Sequence, residues 1–207
     1  MDFNVWVSFF LACMVLSLSP GAGAVNSMSN TMNYGFKMSF IANLGLQLGN
    51  AFNILVVGLG LGMLLAQSAF AFTVIKWMGV SYLIYLGYRK FTETTSFDLA
   101  EGQGRPSSVS SLLAQSFVVN VTNPKAIVFW VALLPQFLLP GRPQFPQVMT
   151  MGGTMIAVDM TVMMGYAWLA SKLVKLIKNE RHIRLQNRIF GSLFIAAGSL
   201  LAIASHH

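Results

Sequence analysis

The sequence predicts an all-α membrane protein with about six transmembrane helices in a single domain over residues 1–207. Three observations predict this fold class. Hydrophobic residues make up 55% of the chain and charged residues only 9%, whereas an average soluble domain is about 25% charged. The mean hydropathy is positive, at +0.64. Long apolar segments alternate with connections that hold most of the charged residues, as expected of a chain whose solvent is lipid.

A membrane-spanning helix needs about 20 predominantly apolar residues. Six windows meet this requirement: residues 4–24, 38–66, 70–88, 112–138, 148–170 and 189–205. The first window has one feature of a signal peptide, because Ala22-Gly23-Ala24 matches a cleavage site. A signal peptide carries Lys or Arg before its apolar run, however, and here the only charged residue in that place is Asp2. We therefore expect a retained first span.

The basic residues predict the orientation. With six spans, the connections after spans one, three and five share one side of the membrane. That side carries Lys37, Arg89, Lys90, Arg105, Lys172, Lys175, Lys178, Arg181, Arg184 and Arg188. The opposite side carries only Arg142. Because Lys and Arg accumulate on the cytoplasmic side, we expect both termini to be periplasmic.

Division of the chain in its long polar loop gives two half-repeats, about residues 1–95 and 108–207, with three predicted spans each. An odd number of spans makes the halves face opposite ways, which is the requirement for an inverted repeat. The first span of each half carries a similar short motif, Leu18-Ser19-Pro20-Gly21-Ala22 in one and Thr122-Asn123-Pro124-Lys125-Ala126 in the other. We therefore predict two inverted three-helix repeats joined by a cytoplasmic loop.

Three ionisable residues lie inside the predicted spans: Lys76, Lys125 and Asp159. A charge there is costly and usually faces a cavity or a partner. Asp159 lies about eleven residues into its span, or roughly 16 Å deep, and Lys125 has a similar depth. The pair is either a functional ion pair or a buried link between two helices. Lys76 lies nearer the outer end of its span, where its side chain could instead reach the interface.

Two prolines predict helix breaks at membrane depth. Pro20 and Pro124 each remove a backbone donor in mid-span, and broken backbone is tolerated there only inside protein or beside a wet cavity. Gly21 and Gly23 leave room for a ligand. Half-helix N-termini at such breaks can hold a carboxylate, and freed carbonyls an ammonium or a proton carrier. The matched prolines, the second preceded by Asn123, favour a binding site over a simple packing kink.

The second span carries an amide stripe. Asn43, Gln47 and Asn50 follow a spacing of four and then three residues, which places them on one helical face. Such a stripe either joins helices or lines a polar path. Glycine pairs at a spacing of four, such as Gly45 and Gly49, predict close helix packing and permit a homodimer.

Two classes of function are not expected. The net charge is +7, but the basic residues lie between apolar runs rather than on an aromatic-interleaved face of a nucleic-acid-binding protein. An intramembrane enzyme would need a second carboxylate beside Asp159, a buried histidine or a second cysteine beside Cys13. His182, His206 and His207 fall outside the spans. We therefore expect no catalytic residue, metal site or cofactor.

Several runs resemble a known family. They are Leu16-Ser17-Leu18-Ser19-Pro20-Gly21-Ala22-Gly23-Ala24, Leu46-Gln47, Lys76-Trp77, Tyr82-Leu83-Ile84, Asn120-Val121-Thr122-Asn123-Pro124-Lys125-Ala126-Ile127-Val128-Phe129, Leu134-Pro135-Gln136-Phe137 and Phe190-Gly191-Ser192-Leu193-Phe194. Together they are similar to the LysE/RhtB exporter superfamily and most of all to its RhtB homoserine/homoserine-lactone efflux branch. Ala22 stands where many members carry a second proline, as a small residue does in that branch.

The resemblance implies a bacterial inner-membrane exporter of small neutral amino acids that is driven by the proton gradient. Homoserine, its lactone and threonine are the expected substrates, with protons and membrane lipid as the other partners. On this hypothesis the substrate carboxylate meets Lys125 and the donors near Pro20 and Pro124. Its ammonium meets Asp159, which also carries the proton. The alternative is another small-metabolite carrier or a channel.

Overall fold

A computed structural model describes residues 1–67, 69–92, 108–139, 141–172 and 180–203, and within these ranges the chain is helical, without a β-strand. The α-helices are α1 (Phe3–Leu18), α2 (Ala22–Tyr34), α3 (Phe36–Gln67), α4 (Ala69–Thr92), α5 (Val109–Val121), α6 (Pro124–Val128), α7 (Leu134–Phe137), α8 (Gln144–Lys172) and α9 (Glu180–Ile203). A π-helical turn, Phe129–Leu133, joins α6 to α7. The predicted all-α class is confirmed.

Two described helices are long and apolar enough to cross a membrane, α8 and the Phe36–Gly58 part of α3. The number rises to four if α1 with α2, and α5 with the segment Pro124–Phe137, each count as one bent span. Six spans, the half-repeats and periplasmic termini stay predictions. Residues 93–107 and 173–179, with Arg105, Lys175 and Lys178, lie outside the described residues, as does the side chain of Lys76.

Both predicted breaks are present. α1 ends at Leu18, Ser19 is extended, and α2 begins at Ala22 with a bend of 53°. α5 ends at Val121, Asn123 is extended, and α6 begins at Pro124, again with a bend of 53°. The predicted end of the first segment at residue 24 is wrong. α2 runs on to Tyr34 and ends at Gly35, whose φ of 84° is readily adopted only by glycine.

Helix α3 lies at the centre of the fold, against α2, α5 and α8. The contact with α5 is close, because a Cβ atom added at Gly49 would lie 2.7 Å from Asn120 Cβ. α4 packs on α9 in the same way, since a Cβ atom at Gly87 would lie 2.8 Å from the carbonyl oxygen of Gly191. These contacts confirm close helix packing at Gly49 and leave the homodimer a prediction.

An aromatic cluster joins α1 to the segment that follows the second break. The ring of Phe9 lies 6.1 Å from Phe129, 6.4 Å from Trp130 and 5.2 Å from Phe137, centroid to centroid. Phe9, Phe129 and Trp130 are almost fully buried. Large apolar side chains such as Phe70 are exposed on the outer surface, where a membrane protein meets lipid.

Candidate functional site

The Asp159 carboxylate is the centre of a hydrogen-bonded group that connects α1, α3 and α8. Its Oδ1 accepts a hydrogen bond from Ser17 Oγ at 2.9 Å. Its Oδ2 accepts one from Gln47 Nε2 at 2.9 Å and one from Asn50 Nδ2 at 3.2 Å. Only 9% of Asp159 is exposed. These uncharged donors offset part of the cost of burying the carboxylate.

The amide side chains of the α3 stripe have two different roles. Asn50 Nδ2 also donates to Gln47 Oε1 at 2.9 Å, so the two amides orient each other beneath Asp159. Asn43 Nδ2 instead contacts Met164 Sδ at 3.3 Å. Its Oδ1 is buried without a hydrogen-bond partner in the described part of the chain. Gln47 and Asn50 therefore belong to the site, and Asn43 joins α3 to α8.

Lys125 reaches the first break from the second one. Its Nζ donates to the carbonyl oxygen of Leu16 at 2.9 Å and to that of Ser19 at 2.7 Å. Leu16 O lacks its usual partner within the helix because Pro20 has no N–H. The ammonium therefore caps the C-terminal end of α1, where the helix dipole favours a positive charge.

A second side chain from the same half of the molecule supports this end of α1. Tyr166 Oη, on α8, donates to the carbonyl oxygen of Leu18 at 2.6 Å. The hydroxyl of Ser19 is buried, and among the described residues it has no hydrogen-bond partner. The first break thus presents three carbonyl oxygens held by distant side chains and one unsatisfied hydroxyl.

The second break is held by its own residues. Asn123 Oδ1 accepts a hydrogen bond from the backbone N–H of Lys125 at 3.0 Å, and so caps α6. The N–H of Asn123 donates to Asn120 O at 3.0 Å, which replaces the bond that Pro124 cannot make. Thr122 Oγ1 donates to Val118 O at 2.7 Å. By contrast, α2 begins at Gly21 without a side-chain cap from the described residues.

Asp159 and Lys125 line one small, partly open cavity of about 30 Å³ between the two breaks. The other lining residues are Leu16, Gly23, Ala24, Leu46, Asn50, Asn120, Asn123, Ala126, Met155 and Met163. This volume holds about one water molecule and is several times too small for an amino acid. The polar site in this structure is therefore too narrow to hold an amino acid.

The predicted site residues differ in how they contribute. Asp159, Lys125, Gly23, Asn123 and Asn50 line the cavity, and Gln47 contacts it through Asp159. Gly21 lies beside the ammonium, since a Cβ atom there would be 3.2 Å from Lys125 Nζ. Pro20 and Pro124 act through the breaks that they create. Asn43 is the member that the structure does not bring to the cavity.

The sequence analysis did not name three residues as members of the site: Ser17, Tyr166 and Asn120. Ser17 contacts Asp159, and Tyr166 contacts the end of α1. Asn120 lines the cavity, and its Nδ2 donates to Leu46 O. Asn120 could have been found from its position four residues before Pro124, because a proline leaves the carbonyl group of that residue without its usual N–H donor.

A larger hollow of about 670 Å³ lies open on the outer face of α4, beside Trp77, Met78 and Tyr85. Its lining is mostly apolar and exposed, as a lipid-facing surface is, so we assign the site to the smaller cavity. Among the described residues, no group of three or more His, Cys, Asp and Glu side chains could hold a metal ion.

Comparison with known proteins gives a consistent result. The family model described as LysE type translocator matches residues 14–205. The homoserine/homoserine lactone efflux protein of Salmonella typhimurium is 43% identical over 209 residues, covering the whole of both chains. A membrane protein of Vibrio cholerae is 44% identical over 99% of both chains. The leucine efflux protein of Enterobacter sp. is 22% identical over 96% of this chain and 95% of its own. No solved structure matches the chain.

Proposed function

The chain belongs to the LysE type translocator family, and on that premise we propose that it exports small neutral amino acids across the bacterial inner membrane in exchange for protons. Homoserine, its lactone and threonine are the proposed substrates. The 43% identity to a homoserine/homoserine lactone efflux protein over the full length supports this substrate class. The more distant leucine efflux protein supports amino-acid export in general.

The observation that carries the proposal is the presence of Asp159 and Lys125 on the wall of one small cavity at two helix breaks. An amino acid carries a positive ammonium and a negative carboxylate. The cavity offers the negative Asp159 to the first and the positive Lys125 to the second. The substrate ammonium binds Asp159. The carboxylate of homoserine or threonine, or the uncharged ester carbonyl of the lactone, binds Lys125 and the first N–H groups of α2, which have no side-chain cap from the described residues and attract anions.

Asp159 also carries the coupling proton, and the geometry favours one of its two oxygens. Oδ2 faces the amide NH₂ groups of Gln47 and Asn50, which can donate but not accept. Oδ1 faces the Ser17 hydroxyl, which can rotate and accept instead. The proton therefore binds at Oδ1, and the Ser17 hydroxyl rotates to accept a hydrogen bond from the protonated oxygen. The substrate carries no net charge, so exchange for a proton is what lets its export use the proton gradient.

Opening of the cavity requires the two halves to move apart on one side and then on the other. The equal bends of 53° in α1–α2 and in α5–α7 support two inverted halves, which rock around a fixed site in many carriers. The substrate then reaches the cytoplasm and the periplasm in turn.

The variant Asp159→Asn tests the proposal. It replaces the titratable carboxylate with an amide of the same shape. We therefore expect the protein to insert normally and to lose homoserine export driven by a pH gradient in proteoliposomes. Asp2→Asn is the matched control, since Asp2 is exposed and forms an ion pair with Arg142 at the protein surface. Undiminished pH-driven export by Asp159→Asn would refute the role of Asp159 in coupling.

A further inference from the structure

The end of α1 has the composition of a cation site. Leu16 O and Ser19 O lie 2.9 and 2.7 Å from the Lys125 ammonium nitrogen, at a point where the helix is broken. Freed carbonyl oxygens of broken membrane helices are the ligands that carriers use for monovalent cations, and rings of carbonyl oxygens bind such cations in channels. The C-terminal end of the helix dipole adds to the attraction.

A second observation points to a ligand at the same place. The side chain of Ser19 is 0% exposed, and its hydroxyl oxygen has no hydrogen-bond partner in the part of the chain that the structure describes. A buried hydroxyl without a partner is costly. Ser19 therefore offers two oxygens at the break, one of them bound to Lys125 and the other unused.

We propose that the carbonyl oxygens of Leu16 and Ser19 form a monovalent-cation site that Lys125 fills with its own ammonium, and that the Ser19 hydroxyl, which does not bind the ammonium, turns to bind a free cation that takes its place. Lys125 is then a tethered substitute for a free alkali cation. Gly21 adjoins the ammonium, because a methyl group added there would lie 3.2 Å from Lys125 Nζ. This inference concerns what the break binds and does not depend on the exported substrate.

Removal of the ammonium should expose the site to ions from solution. In Lys125→Ala the two carbonyl oxygens lose a charged donor, and we expect the midpoint of thermal unfolding to fall by on the order of 5 °C. Sodium or potassium should then occupy the vacated space and recover at least half of that loss. The unaltered protein already holds its ammonium there, and its midpoint should be the same in every salt.

The experiment compares purified Lys125→Ala in NaCl, in KCl and in N-methyl-D-glucamine chloride at equal ionic strength, with thermal unfolding as the measurement. N-methyl-D-glucamine is too large for the site and controls for screening. Lys37→Ala, which removes an exposed lysine from α3, is the matched variant and should show no preference for any cation. Adding Ser19→Ala to Lys125→Ala should raise the sodium concentration needed for half recovery at least threefold.

Equal midpoints of Lys125→Ala in all three salts would overturn the proposal. A second variant, Lys125→Ser, guards against an effect peculiar to alanine and should give the same recovery. If neither variant folds even in high sodium, the proposal also fails, because a cation that fills the site should replace the ammonium. None of these measurements involves transport, so they remain informative if the proposed export activity is wrong.

Discussion

The two helix breaks bend the chain by the same 53° but are held in opposite ways. At the first, the carbonyl oxygens of Leu16, Leu18 and Ser19 accept hydrogen bonds from Lys125 and Tyr166, which lie more than a hundred residues away. At the second, Thr122 and Asn123 supply the bonds themselves. The first break therefore depends on how α6 and α8 are placed against α1, whereas the hydrogen bonds at the second break are local.

This difference indicates which helix break can couple a movement of the helices to substrate binding. A substrate carboxylate that draws Lys125 towards itself takes a donor away from the end of α1. The second break loses nothing, because its caps are local. We therefore expect the first break to respond to substrate and the second to act as a fixed support. The following substitutions test that contrast in order of decreasing effect.

Gly21 at the first break should show the largest effect. In Gly21→Ala the new Cβ would lie 3.2 Å from Lys125 Nζ, so the ammonium must move by a few tenths of an ångström, which weakens its bonds to the carbonyl oxygens. We expect initial export rates to fall about tenfold, the effect of roughly 1.4 kcal/mol. The matched variant is Gly23→Ala, whose Cβ would lie at ordinary distances of 3.5 Å from Met163 Sδ and 3.7 Å from Leu46 Cδ1.

Gly23→Ala should fold normally and transport small substrates, while the added methyl group narrows the cavity against larger ones. Export of labelled homoserine and leucine from cells measures both variants. Equal rates in Gly21→Ala and the unaltered protein would contradict a role for the Lys125 contact with α1.

Tyr166→Phe should have an intermediate effect. It removes only the hydroxyl that donates to Leu18 O, a loss of about 1 kcal/mol, so we expect the unfolding midpoint to fall by about 2–4 °C and export to fall several-fold. Differential scanning fluorimetry and efflux assays provide the measurements. Tyr88→Phe is the control, because Tyr88 is 65% exposed on α4. Similar shifts in both variants would mean that the Tyr166 bond does not stabilise the break.

Thr122→Val at the second break should have the smallest effect. The Thr122 hydroxyl donates to Val118 O one turn back, and the backbone N–H of Thr122 already donates to the same oxygen at 2.9 Å. Loss of the hydroxyl leaves that carbonyl satisfied, so we expect export within twofold of the unaltered protein and a midpoint shift near the error of the measurement. A tenfold loss of export would show that the second break is not a passive support.

The positions of the breaks could be predicted because their cause is local. A proline lacks an N–H wherever it occurs, so Pro20 and Pro124 interrupt a helix whatever surrounds them. The charged pair was visible for a similar reason, since Lys125 and Asp159 stand out in apolar segments. The spacing of Gln47 and Asn50 also carried over directly, because the helical period sets which side chains share a face.

The partners of these groups could not be predicted, because they depend on tertiary structure. A single serine or tyrosine in an apolar span has no local pattern, so Ser17 and Tyr166 became visible only in contact with Asp159 and Leu18. The length of α2 was missed because its polar sequence suggests a loop. Its side chains are satisfied inside the protein instead, as when Ser27 Oγ donates to Met163 O at 2.9 Å and Asn26 Nδ2 to Ser116 Oγ at 3.1 Å.

On the proposed function, we expect the aromatic rings around Phe9 to give substrate capture and substrate release different barriers. In the predicted orientation these rings lie on the periplasmic side of the first break, and the short hydroxyl and amide side chains of α2 lie on its cytoplasmic side. Departure to the periplasm must separate packed rings, while arrival from the cytoplasm only exchanges hydrogen bonds that water can replace. We therefore expect release, rather than capture, to limit turnover, so that trimming Phe137 to Leu would quicken the cycle and loosen its coupling.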